Sequence, residues 1–175
     1  MSSHAVRTTL SRLAAAGAAL CVGAAAPAPN DGFAGHWVIA QAKVAPWADL
    51  QQAGGPEEEK RLVGRTVVIG PALVAGPSPL GCLHASFKFH DDTPDLLFEG
   101  GLAEGPDGKP RDAVKAARAL GMTTPAVRTL ETSCSEVAYH RISPDTLMFG
   151  LNNRIYVLHP EKPIGEASGQ GAPHR

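Results

Sequence analysis

Cys82, His84 and Cys134 are the residues most able to do chemistry, as ligands of a metal ion or, with the sulfurs joined, as a staple. No C-x-x-C or H-x-x-x-H spacing completes a metal shell around them, so no metal is assigned and a Cys82–Cys134 disulfide is expected. The bridge would close a loop of roughly 50 residues, worth about 4 kcal/mol of chain entropy. A site built from Cys82, His84 and Cys134 is the competing reading. His84 and His90 share one strand face, but six residues of strand hold them about 20 Å apart, so they read as exposed histidines. Joined across strands to His140, either would suit Cu²⁺ or Zn²⁺.

Other constellations are near misses. Gly76-Pro77-Ser78-Pro79-Leu80-Gly81 has one residue too many for the G-x-S-x-G elbow, and Pro79 obstructs a helix after the serine, so Ser78 reads as part of a turn. Asp91, Asp92 and Asp95 lack the spacing of a calcium loop. No phosphate-binding or dinucleotide fingerprint occurs. No catalytic residue and no cofactor are therefore assigned, which leaves an enzyme as the weakest class. Trp47, beside Pro46, is the candidate ligand-binding residue, because a half-buried aromatic at a rim can serve a guest or partner. A tryptophan packed on its own domain is the equal alternative.

The elements that must position these residues begin after an address. In a chain of 175 residues, Arg7 and Arg12 give a positive start, Leu13 to Val22 an apolar run, and Gly23 to Ala26 small residues. This is the pattern of a cleaved signal peptide over 1–25, with cleavage near Ala25 and a linker over 26–34. The run is far short of the ~20 residues of a membrane span, so no stable membrane insertion is expected after cleavage. A periplasmic or secreted location follows, in which disulfides persist. The net charge of -1, without a basic stripe, excludes nucleic acid as a partner class.

Residues 35–160 are expected to form one domain, and 161–175 a disordered tail. Short runs rich in β-formers recur between turn residues, with 19 glycines and 15 prolines in the chain. Strands are expected over 36–44, 66–69, 72–75, 85–90, 96–99, 127–132, 137–142, 147–150 and 154–159. Ala85, Phe87 and Phe89 alternate with water-facing Ser86, Lys88 and His90, and the Asp91–Pro94 turn leads to Leu96–Glu99 as a hairpin. A short helix begins at Pro56, and a longer one runs from Pro110 to Leu120, with Ala113, Val114, Ala117 and Leu120 inward and Gly121 as its cap. The fold class is mainly β: a small antiparallel barrel or strongly coiled sheet of about eight or nine strands with one short and one longer helix.

Gly35-His36-Trp37 resembles the Gly-x-Trp that opens the first strand of lipocalin-like barrels, and Val74-Ala75-Gly76 with Gly81-Cys82 resembles the META-type domains of bacterial envelopes. The lipocalin resemblance implies Trp37 as a plug at one barrel end and Arg154 as its cation–π cap. Both resemblances imply a compact secreted barrel. The expected function is a non-catalytic envelope or secreted binding protein for a small apolar or amphipathic ligand, held in or at the mouth of the barrel. The alternative is a protein-interaction module, such as a secreted hydrolase inhibitor, acting on an envelope protein through exposed loops.

Overall fold

The computed structural model describes residues 32–48 and 55–162. The predicted leader, most of the linker, and the tail beyond residue 162 lie outside the described residues. Eight strands form one antiparallel sheet: β1 (Gly35–Val44), β2 (Thr66–Ile69), β3 (Val74–Ala75), β4 (Phe87–Asp92), β5 (Val127–Thr132), β6 (Ala138–Ser143), β7 (Thr146–Leu151) and β8 (Arg154–Pro160). Their order is β3-β2-β1-β8-β7-β6-β5-β4, and the sheet curls into a half-barrel.

Strand alternation builds the interior. The pairings align Phe89, Leu130 and Tyr139, and farther across the sheet Phe149, Tyr156 and Ala42, along one inward row. Phe149 stacks on Tyr156 with ring centroids 4.9 Å apart and meets Tyr139 edge-on at 5.6 Å. Trp37 and Phe33 join this cluster, with the Trp37 indole N–H donating to the Phe33 carbonyl at 2.7 Å. Phe33 was expected in the linker, yet it is buried, because its ring packs on Phe89. Fifteen buried side chains fill the concave side, so the space that a lipocalin-like guest would occupy is taken up by the protein's own aromatics.

Helix α1 (Pro56–Leu62) has proline at its start, acids in its first turn and bases in its last, as charge and macrodipole favour. It lies against the β7–β8 turn: Glu58 accepts from the Tyr156 hydroxyl at 2.8 Å, and Glu59 pairs with Arg154 at 2.7 Å. That turn holds Asn152 at φ 48° and Asn153 at φ 63°, the left-handed pair of a tight primed hairpin.

The chain between β3 and β4 runs across the open side of the curl. Ala85 N–H donates to the Ala72 carbonyl at 2.8 Å, and Cys82, bridged to Val74, is disulfide-bonded to Cys134 just beyond β5. The expected staple is formed, and with its sulfurs joined to each other the competing Cys–His metal set is removed.

Residues 93–122 cover the convex face. The predicted strand over Leu96–Glu99 does not form; residues 94–100 are turns, with Phe98, Glu99 and Gly100 all left-handed. Leu97 and Phe98 are drawn onto the outer face of the sheet instead of extending away from it. Helix α2 (Ala113–Ala119) starts later than Pro110, because the Asp112 carboxylate caps the Lys115 N–H at 3.0 Å. Gly121, at φ 91°, ends it as expected. Ala113 and Ala117 are buried, whereas Val114, predicted inward, is 47% exposed. A seven-residue helix presents too narrow a stripe to bury it as well.

Candidate functional site

The β4–β5–β6 register lines up His90, Thr129 and His140 across three adjacent strands on the convex face. His140 is 2% exposed and takes the Phe98 ring edge-on at 4.5 Å. Its Nδ1 lies 3.0 Å from the Thr129 hydroxyl, which itself donates to the Val127 carbonyl at 3.3 Å. Burial holds His140 neutral, its pKa driven down to about 4, with Asp92 opposing the shift and His90 adding to it. His90 is not the free water-facing residue that alternation suggested. Its Nε2 sits 3.1 Å from Asp92 and 3.6 Å from Glu131, and its Nδ1 is buried with no hydrogen-bond partner among the described residues.

Beside this row opens a cleft of about 850 Å³, bounded by Trp47 and Phe98 from the covering layer and by β5, β6 and the β7–β8 turn from the sheet. Trp47 is half-buried and packs on Phe98 with ring centroids 5.2 Å apart. Two glycines make this possible. A Cβ on Gly101 would meet the Trp47 ring at 2.6 Å, and one on Gly150 would meet Phe98 at 3.2 Å. A second recess of about 520 Å³ lies along the Gly100–Gly108 loop and shares Trp47, Phe98, Glu99 and Asn153 with the first. The paired rings therefore stand as a partition between two recesses.

No family model matches the chain, and no curated protein and no solved structure is similar to it. The residues alone carry the reading.

Sequence reasoning pointed to Trp47, and Trp47 borders both recesses. Phe98, from the segment expected to form the Leu96–Glu99 strand, is the ring that completes the aromatic pair. Trp37 and Arg154 are not brought together. Trp37 is buried, but the register sets it opposite Pro160 while Arg154 faces Val44, six residues or about 20 Å along β8. Arg154 serves α1 through Glu59, so the cation–π cap drawn from the lipocalin resemblance is replaced by an ion pair. Ser78 sits in an exposed turn whose carbonyl accepts from Arg61. Sequence reasoning missed Phe98, Glu131 and Glu136. One usable signal was present: β7 and β8 read Leu-Met-Phe and Ile-Tyr-Val-Leu, continuous apolar runs that demand cover on both faces of the sheet.

Chemically, a carboxylate-paired imidazole beside a cleft has the form of a general base. Among the described residues, however, His90 hydrogen-bonds to no hydroxyl or thiol that it could activate. Nor do three or more His, Cys, Asp or Glu side chains converge among the described residues in a metal-binding arrangement. What the site offers is an aromatic wall, a polar floor and a buried neutral histidine behind it.

Proposed function

We propose that this chain is an exported, non-catalytic binding protein whose small amphipathic ligand lodges in the convex-face cleft against Trp47 and Phe98. The observation that carries the reading is a half-buried tryptophan held against a second ring at the edge of a cleft of about 850 Å³. That volume falls in the range of roughly 300–1,000 Å³ typical of small-molecule sites, and mixed apolar and polar lining suits an amphipathic guest. The filled interior argues for the outer face in place of the barrel mouth. Export to a periplasmic or extracellular space fits the leader pattern and the Cys82–Cys134 bridge. Among the described residues no helix is long and apolar enough to cross a membrane.

An apolar fluorescent probe titrated into the mature protein should shift tryptophan emission. Trp47→Ala should weaken its binding by about 1 to 3 kcal/mol, the worth of a desolvated aromatic contact. Affinity that is the same in the variant would remove the cleft as the site.

The interaction-module reading draws on one feature of its own. Leu83 is 80% exposed, next to the disulfide at Cys82, so the staple presents an apolar residue on a tethered loop. Under that reading Leu83→Ala weakens a protein partner and leaves probe binding unchanged.

A further inference from the structure

The signs of the charges around the aromatic pair are one-sided. Asp92, Glu99, Glu131 and Glu136 line the larger cleft, and among the described residues no lysine or arginine does. The smaller recess adds Glu104, again without a basic residue among the described residues. This asymmetry is local, since the whole chain carries 16 basic and 17 acidic residues. Two of the carboxylates are already answered. His90 lies against Asp92 and Glu131, and Lys88 reaches Glu131 from outside at 3.0 Å. Glu99 and Glu136 have no ion pair among the described residues. His140 behind the cleft contributes no positive charge at neutral pH, being buried and neutral.

From these observations, and resting on the cleft being a ligand site as proposed above, we infer that the ligand is an organic cation: an ammonium group on an apolar body. The body lies against Trp47 and Phe98, whose ring faces attract a cation within about 6 Å of the centroid. Glu99, from the covering layer, and Glu136, from the β5–β6 connection, supply the opposite charge from two sides. A concave site lined by one sign of charge also focuses the field and draws in cations. An anionic amphiphile of the same shape would meet uncompensated carboxylates and be turned away.

Three probes of one body separate the charge from the shape: phenethylammonium, phenethyl alcohol and phenylacetate. Each is titrated into the mature wild-type protein and the Trp47→Ala and Glu99→Gln/Glu136→Gln variants, with tryptophan emission and calorimetry as readouts. The cation should bind at least about 10-fold more tightly than the alcohol, lose affinity as salt rises, and fall to the level of the alcohol in the double glutamine variant. The alcohol should be indifferent to that variant and to salt, and phenylacetate should bind most weakly. Trp47→Ala should weaken both cation and alcohol, the cation more because it also loses the ring's attraction for its charge. If cation and alcohol bind equally and both depend on Trp47, the charge inference is overturned while the cleft stands. If no probe binds, or none depends on Trp47, the cleft reading falls and the charge inference with it. Circular dichroism of each variant against wild type separates loss of binding from loss of fold.

Discussion

His140 is the residue whose chemistry and packing are most tightly coupled. Phe98 covers its ring, Thr129 holds its Nδ1, and Asp92 and His90 are the titratable groups that act on it from β4. Its folded pKa of about 4 lies below the usual 6.5, so the unfolded chain binds more protons between those values. Stability must therefore be complete above about pH 6.5 and fall as pH drops toward 4, by about 3 kcal/mol at most. His140→Gln, which keeps a hydrogen-bonding partner for Thr129, should flatten that part of the curve. Urea unfolding of both proteins at pH 7, 5.5 and 4.5 tests this, and equal slopes would refute it. Gly101 sits at the other side of the aromatic pair. Gly101→Ala places a methyl where the Trp47 ring now lies, with 2.6 Å between atoms. The ring must move, so probe binding should weaken by 3-fold or more while the fold persists. Wild-type affinity in this variant would mean that the position of Trp47 does not matter to the guest.

At the scale of elements, the edge strands set the problem and the β3–β4 connection answers it. β3 has only two residues, and a sheet curled this far leaves two edges that no continuous ladder joins. The Cys82–Cys134 bond spans that gap, closing 52 residues of chain, and the Ala85–Ala72 and Ser133–Ser86 backbone bonds run beside it. Cys82→Ser should lower unfolding stability by about 2 to 4 kcal/mol through the larger freedom of the unfolded chain. The purified mature protein should accordingly titrate with no reactive thiol before reduction. A native protein with two titratable thiols would overturn the staple. The covering layer depends on a different device, three successive left-handed residues at Phe98, Glu99 and Gly100. Two of these are not glycine, a conformation that costs of order 1–3 kcal/mol each and is held here by the burial of Leu97 and Phe98.

For the molecule as a whole, two layers of packing share one sheet. The concave layer closes on Trp37, Phe149 and Tyr156; the convex layer closes on Phe98, Met148 and Val157. In the convex layer Trp47 stays half-buried at the edge of the cleft, which is why the ligand reading falls on that side. The proposed export has its own test at this scale. Mass spectrometry of the protein recovered from outside the cytoplasm should show a start within about three residues of Ala26, as small-residue cleavage after a short apolar run implies. A recovered chain still beginning at Met1 would overturn the assignment of the leader.

Period-two alternation, turn residues and helix punctuation were enough to place all eight strands, both helices and the Gly121 cap, because each depends on neighbours within a few positions. The Cys82–Cys134 pairing was legible for a simpler reason: of the chain's three cysteines, Cys21 falls in the expected leader, which leaves Cys82 and Cys134 to each other. What the chain could not disclose alone was which face each strand would bury twice. Leu96–Glu99 reads locally as a strand, and His90 as a solvated residue on a polar face. Both change because residues 93–122 fold back over β5–β8, and that contact is decided by long-range burial of Val127, Met148, Ile155 and Val157. The Trp37–Arg154 pairing failed on register, since antiparallel β1 and β8 set the two residues at opposite ends of the strand pair. The cleft exists only because that second layer sits down beside Gly101 and Gly150, where the lack of two side chains makes room for two rings.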